Sequence, residues 1–377
     1  MPPQKRVLLH ISKYYFPDLG GIEVTAQSLA EGLSDFENIV VCFATNGKHS
    51  EESINGIKLY RIASGFSFMS QRVSFSYFAR LKRIYEQHKP CAIVVHCPNP
   101  FVYPFVMHIA HPDDKIILLW HSDILAKGVA YKVVRPFETT ILKRANLVLA
   151  TSPNYVEDSL ISKYKSKVQV LPNGINVSTF IEQDGDDERI SKIKSEYSGK
   201  KIVFFCGRHV AYKGIDCLIR AERFVKSDCV FLIGGSGPLT KSLKKQVKSS
   251  QRIKFLGGLS TDELRCHLYA ADVFAFPSVT KAEAFGLALA EAMFCGCPPV
   301  CFEIKGSGVN WVSIKDETGE EVPLGNIEKY ASAIDKVLSD DALRKRYAIA
   351  SHERVCKHFT TEITVKNAKG IFSSLLQ

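Results

Sequence analysis

The chain has 377 residues, a length that sets two domains as the starting expectation. With 46% hydrophobic and 23% charged residues it has the make-up of a soluble globular protein, which excludes disordered, collagen-like and coiled-coil chains. Lys and Arg total 49 against 39 Asp and Glu, and the net charge of +10 suits an anionic partner: a phosphate-bearing substrate, a membrane surface or a nucleic acid.

Residues 7–11 read as a buried strand, and 22–33 carry apolar side chains at helical spacing. Strands are predicted at 39–44, 58–62, 92–96, 116–121, 147–151 and 168–171, with short helices at 104–110 and 138–144. Pro172, Asn173 and Gly174 form a turn, and the acidic stretch 182–188 reads as an exposed linker. The alternation then restarts. Strands are predicted at 202–206, 230–234, 253–255, 273–276 and 299–302, with helices at 215–225, 239–248, 261–270, 285–295, 328–338 and 343–357 and a last helix after Phe359. The expected organisation is an N-terminal α/β domain (1–172), a linker (173–199), a second α/β domain (200–358), and a C-terminal helix (359–377) that packs back on the first domain. Ligands of such sheets bind beyond the carboxyl ends of the strands.

No run of ~18 apolar residues is present, and the N-terminal stretch is too short and too interrupted for a signal peptide. The eleven cysteines are scattered, mostly in apolar runs, and contain no CxxC pair; they read as buried reduced thiols of a cytosolic protein. Cys295, Cys297 and Cys301 alternate along what reads as a strand, which argues against a metal cluster. Asp113-Asp114 falls in a turn and Asp186-Asp187 in the linker, so neither is set at a strand end where a diphosphate-chelating cation would sit.

Four constellations carry chemistry. Gly20-Gly21 open the first helix and let backbone N–H groups approach an anion; a plain loop-to-helix turn is the simpler alternative. Arg208 and Lys213 lie in GRHVAYKG, directly after the first strand of the second domain. There a guanidinium fork and an ammonium would meet phosphate oxygens, both side chains being expected to stand exposed. Gly234-Gly235-Ser236-Gly237-Pro238 is a glycine-rich strand-to-helix turn suited to close approach of a nucleotide. Glu283 and Glu291, on or just before one apolar helix, would be roughly 12 Å apart at ~1.5 Å per residue, a span that suits two ends of one extended ligand. Carboxylates of this kind accept hydrogen bonds from vicinal hydroxyls.

Taken in this order, these motifs resemble the family 4 glycosyltransferases of the GT-B fold. So do the stretches SPN to LPNGI, FLGGL and AADVFAFPS, the segment Trp120-His121-Ser122-Asp123, and residues 302–312 ending GVNWV. The last of these is similar to mannosyl- and rhamnosyltransferase-like members of bacterial surface-polysaccharide (O-antigen) pathways. The resemblance implies two Rossmann-like domains with parallel sheets facing across a deep cleft, and a retaining hexosyltransferase. The donor it implies most is GDP-mannose, with UDP- and dTDP-sugars as alternatives. The acceptor would be a saccharide or a polyprenyl-diphosphate-linked saccharide. It further implies Arg208, Lys213, Glu283 and His121 as catalytic residues, His121 being the first-domain contact near the reacting carbon. Donor-binding positions would be Gly20, Gly21, Gly235, Gly237, Phe255, Leu256, Phe285, Gly286, Leu287 and Glu291. Glu283 would bind sugar hydroxyls, Glu291 the ribose, and Phe255, Leu256 and Gly257 the base. No metal or other cofactor is implied.

Residues 72–89 form a basic amphipathic pattern that would suit the anionic inner face of the plasma membrane, with an ordinary helix packed on the first sheet as the plainer reading. The basic residues are spread along the chain, so a nucleic-acid partner is not expected. A nicotinamide-dependent oxidoreductase is the competing class, and the missing G-x-G-x-x-G after the first strand counts against it.

Overall fold

The computed structural model describes residues 5–18, 20–68, 71–124, 129–247 and 250–377, which form two compact units. The N-terminal unit comprises residues 1–173 and 361–377, the C-terminal unit residues 174–360.

In the N-terminal unit the strands are β1 (Val7–Ile11), β2 (Glu37–Phe43), β3 (Ser50–Ile54), β4 (Ile57–Ile62), β5 (Phe66–Phe68), β6 (Gln71–Val73), β7 (Ala92–Cys97), β8 (Lys115–Trp120), β9 (Leu147–Ala150) and β10 (Val168–Val170). The main sheet runs β10-β9-β8-β7-β1-β2-β4-β3, parallel throughout except that β3 pairs antiparallel with β4, while β5 and β6 form a separate antiparallel pair. Its helices are α1 (Gly21–Gly32), α2 (Tyr77–His88), α3 (Tyr103–Ile109), α4 (Val129–Arg144) and α5 (Pro153–Glu157). The C-terminal unit adds α6 (Asp186–Glu196), β11 (Lys201–Cys206), α7 (Ile215–Ala221), β12 (Cys229–Gly234), α8 (Thr240–Gln246), β13 (Ile253–Gly257), α9 (Thr261–Ala270) and β14 (Val273–Phe276). It continues with α10 (Leu287–Phe294), β15 (Pro299–Glu303), α11 (Val309–Val312), β16 (Glu320–Pro323), α12 (Ile327–Ser339) and α13 (Asp341–His358). Its sheet, β13-β12-β11-β14-β15-β16, is wholly parallel. The last helix, α14 (Thr361–Leu375), belongs to the N-terminal unit and packs on α1.

The central strands form where the sequence is almost continuously apolar, because a parallel sheet covered by helices on both faces buries nearly every side chain. Phe204, Phe205, Phe231 and Phe274 are all fully buried. Several helix starts are set by side-chain caps: Ser260 with Glu263 forms a capping box on α9, and Asn326 and Asp340 cap α12 and α13.

Three expectations need correction. The acidic stretch 182–188 is exposed as expected except at Asp186, but its second half belongs to a helix rather than to a linker. Asp186 opens α6, is 1% exposed, and binds Arg265 of α9 through two hydrogen bonds of 2.6 and 3.1 Å. Of the acidic residues in that stretch Asp186 alone is buried, and its charge is paired inside the unit. Cys295 and Cys297 follow α10 and only Cys301 lies in a strand. All three thiols are free and buried. The helix predicted at 138–144 starts earlier, at Val129, and runs through Pro136. The predicted end of helix 239–248 lies outside the described residues.

The basic segment 72–89 folds as α2, with Tyr77, Leu81 and Ile84 buried and Phe78 edge-on to His108 of α3. Its apolar stripe is therefore used by the unit's own packing, while Lys82, Arg83 and the side chain of Phe75, which is 91% exposed, face outward.

Candidate functional site

In each sheet the chain order reverses at one strand. In the C-terminal unit β11 lies between β12 and β14, and in the N-terminal unit β1 lies between β2 and β7. The loops beyond the carboxyl ends of strands at such a reversal diverge and leave room for a ligand.

In the C-terminal unit the loop after β11 carries Arg208, His209 and Lys213. Gly235 and Gly237 pack against it so closely that side chains there would collide with it. A Cβ on Gly235, at φ +100°, would lie 2.0 Å from the Gly207 carbonyl oxygen, and one on Gly237 would lie 2.6 Å from that of His209. His209 is fully buried and bridges the loops, its Nδ1 lying 2.9 Å from Thr240 Oγ1 and its backbone N–H donating to the Ser236 carbonyl at 2.9 Å. Phe255 packs edge-on to His209, ring centroids 5.9 Å apart, and Gly257 accepts a hydrogen bond from the Gly235 N–H. The glycine turn and the 255–257 segment thus form one continuous backbone surface.

Lys213 is not exposed as the sequence suggested. It is 8% exposed, lies over the Phe276 ring, and its Nζ is 2.5 Å from Glu283 Oε2. Ser278 donates to the same carboxylate oxygen at 3.0 Å, and Ser307 donates to the Glu283 backbone carbonyl. Burial works against the charge of Lys213, but the Glu283 carboxylate and the Tyr212 hydroxyl hold its pKa above the ordinary lysine range. Arg208, on the same loop, is exposed.

Glu283 precedes α10 rather than sitting on it. Gly286, at φ +93°, turns the chain into the helix, so the two glutamates are not separated by a straight helical rise. Glu291 lies one turn into α10, its carboxyl pushed up to about 7 by burial, with Lys213 acting in the opposite sense. The neighbouring Cys206 thiol is pushed up to about 12 by burial, with the Glu291 charge adding to the effect. Lys213, Glu283 and Glu291 therefore form one electrostatic cluster. The first-turn amides of α10, beginning at Leu287, have no intrahelical acceptor and remain available to an anion. The Phe285 side chain is 3% exposed and packs on Phe359, so it belongs to the unit's core.

In the N-terminal unit Gly20, extended at φ −161°, is the N-cap of α1, and Gly21 is its first residue. His121 follows β8 and is 8% exposed. Its segment is pinned by Asp123, which accepts from Trp120 Nε1 at 2.9 Å and Ser159 Oγ at 2.6 Å. His121 and Thr25 of α1 line one small cavity, and Thr25 Oγ1 donates to the Gly21 carbonyl at 2.9 Å. Two buried histidines that sequence reading passed over stand behind His121: His96 at the end of β7 and His10 on β1. The signal was available, since each is a lone polar residue within an otherwise apolar, largely buried strand, where a polar side chain requires a partner.

Two such α/β units, with phosphate-suited loops at the sheet reversal, are the architecture of the GT-B glycosyltransferases. Residues 19–179 match the family model Glycosyltransferase Family 4 and residues 186–354 match Glycosyl transferases group 1. The chain belongs to the glycosyltransferases built from these two domains, and it is an enzyme of that class. It is 26% identical to O-antigen chain mannosyltransferase C of Escherichia coli, over 98% of this chain and 99% of that one. It is 27% identical to the D-rhamnosyltransferase WbpZ of Pseudomonas aeruginosa, over 84% and 82%. Among solved structures, Anabaena Alr3699/HepE in complex with UDP and glucose superposes with a TM-score of 0.78 at 18% identity, covering 98% of this chain and 100% of the other.

Among the described residues no group of three or more His, Cys, Asp or Glu side chains is placed to hold a metal ion, and no helix is long and apolar enough to cross a membrane.

Proposed function

We propose that the enzyme transfers mannose from GDP-mannose, with retention of anomeric configuration, to a saccharide or polyprenyl-diphosphate-linked saccharide in surface-polysaccharide synthesis. The observation that carries the nucleotide-sugar reading is the clustering of Arg208, the Lys213–Glu283 pair, Glu291 and the start of α10 at the reversal of the C-terminal sheet. The choice of mannose rests on similarity to the O-antigen mannosyltransferase over nearly the full length of both chains.

In this reading Arg208, Lys213 and the α10 amides stabilise the charge that grows on the diphosphate as the bond from the anomeric carbon to phosphate oxygen breaks. The acceptor hydroxyl forms the new bond on the same face, and its proton passes to the departing phosphate. Glu283 bonds sugar hydroxyls, Glu291 bonds the ribose hydroxyls, and Phe255, Leu256 and Gly257 receive the base. Gly20, Gly21 and His121 of the N-terminal unit contact the sugar and its phosphate. The positive groups already present do the work a bound cation would do, so we expect catalysis without metal. Phe75 with Lys82 and Arg83 is the surface we assign to an anionic membrane on the cytoplasmic side.

A second donor, UDP-glucose, is favoured by one observation: Alr3699/HepE, of the same fold, was solved with UDP and glucose. Thermal unfolding with GDP, UDP, dTDP and ADP, followed by transfer assays with the matching sugar nucleotides, separates the two. At 100 times its Kd the correct nucleotide adds about 2.7 kcal/mol of stability. We expect GDP to give the largest shift and GDP-mannose the turnover, with Arg208→Ala lowering turnover ~10²-fold without loss of stability. A shift from UDP alone would reassign the donor, and no shift from any nucleotide would remove the donor site from this unit.

A further inference from the structure

Behind His121 runs a line of buried polar groups with a defined direction. Asn38, 6% exposed, donates through Nδ2 to the carbonyls of Leu33 at 2.9 Å and Phe36 at 3.2 Å. Both partners are acceptors only, so the amide cannot be turned over, and its Oδ1 must face His10 Nε2, 3.0 Å away. An oxygen there requires a proton on His10 Nε2. A neutral imidazole has one proton, so His10 Nδ1 is bare and accepts from His96 Nε2 at 3.5 Å. His96 Nδ1 is then bare in turn and accepts from His121 Nε2 at 3.3 Å. The His96 and His121 rings lie nearly parallel, 9° apart, with centroids 5.6 Å apart. The line ends at His121 Nδ1, a buried atom with no hydrogen-bond partner among the described residues.

We propose that Asn38, acting through His10 and His96, fixes the tautomer of His121, so that His121 presents a bare Nδ1 as a hydrogen-bond acceptor for a hydroxyl of the substrate sugar. The second half of this statement rests on the reading of His121 as the sugar contact. The first half rests on hydrogen-bond direction alone. Burial keeps all three imidazoles neutral, holding His10 and His121 near about 4 and His96 well below the ordinary histidine value. With one proton per ring, each ring can donate at one nitrogen and accept at the other, and the orientation of Asn38 is set from outside the line by the Leu33 and Phe36 carbonyls. His121 so arranged cannot donate to a phosphate oxygen from Nδ1; it can only receive a proton-bearing group. His10, His96 and Asn38 are positioning residues that touch no substrate.

Nitrogen resonance of the full-length protein labelled with ¹⁵N-histidine tests this, because protonated and bare imidazole nitrogens resonate far apart. Assignment comes from single substitutions. The expected result is His10, His96 and His121 all carrying their proton on Nε2. A proton on His121 Nδ1 in the wild-type protein overturns the proposal whatever the variants do. His96→Leu should release His121 into a mixture of tautomers and lower kcat by ~10-fold, the scale of one hydrogen bond, while leaving the Kd for nucleotide unchanged. His96→Gln, which can both donate and accept at this position, should restore the single tautomer and most of the turnover. A single Nε2–H tautomer persisting in His96→Leu would show that the line does not set it. Absence of transfer from every sugar nucleotide would count against the proposed function and leave the resonance result standing.

Discussion

Glu291 shows how burying a single carboxyl at a candidate site can be costly to the fold. Its carboxyl titrates at about 7 in the folded protein because burial disfavours the charge more than Lys213 restores it. The unfolded chain ionises it near 4.5, so between 4.5 and 7 the folded state binds the extra proton. Stability therefore falls as pH rises through that window, by up to about 1.4 kcal/mol per pH unit, and the full penalty applies above 7. Glu291→Gln mimics the neutral acid. It should raise the melting temperature at pH 8 and leave it unchanged at pH 4, measured by calorimetry without nucleotide. An equal effect at both pH values would mean that the charge of Glu291 is not what the fold resists. Lys213 follows the opposite logic. Its ammonium is satisfied by Glu283, and removing either partner strands the other, so exposed Arg208 is the cleaner probe of phosphate stabilisation.

At the scale of elements, what the sequence disclosed depended on burial. The central strands were legible because each is apolar almost throughout, as β12 (CVFLIG) is and as β7 (AIVVHC) is but for His96. Strand β3 (SEESI) was not, since its exposed edge position needs no apolar side chain and its pairing is supplied by β4. Of the candidate site, the positions of Arg208, Lys213, Glu283 and His121 in loops that follow strands were readable. The pairing of Lys213 with Glu283 was not, because their contact is made by loops that follow two different strands and leaves no local pattern. Helix α6 was missed because its acidic start, exposed except at Asp186, reads as a linker. The buried Asp186–Arg265 pair joins α6 to α9, and Arg265 also binds Asp262 at 2.9 Å and the Thr179 carbonyl at 3.2 Å. The guanidinium beside Asp186 holds its carboxyl well below the usual range. Asp186→Asn should destabilise the C-terminal unit by about 3–5 kcal/mol, because it leaves a buried cation with one exposed carboxylate for compensation. Urea unfolding followed by a C-terminal-unit probe would check this, and a loss below 1 kcal/mol would show that Asp262 suffices.

At the scale of the whole molecule, the chain leaves the N-terminal unit after Asn173 and returns to it at Thr361, so the last seventeen residues complete a core begun by the first forty. Ala368 and Phe372 of α14 are fully buried with Leu8, Leu29, Leu33 and Phe36, and Arg6 donates to the Leu376 carbonyl. The approach of α14 to α1 is close enough to require glycine. A Cβ on Gly32 would lie 2.3 Å from Val365 Cγ2, well inside contact distance. The N-terminal unit therefore has no complete core until α14 has been made. Phe372→Ala removes an aromatic ring from that core and should cost about 3–5 kcal/mol. The loss should fall on the N-terminal unit: amides of β1 and β8 should exchange with solvent faster in the variant, while those of β11 and β12 keep their wild-type rates. The reason is that α14 buries its apolar face among N-terminal side chains. Uniform acceleration in both sheets would mean that the two units unfold as one, and unchanged exchange in β1 would mean that α14 caps a core already stable without it.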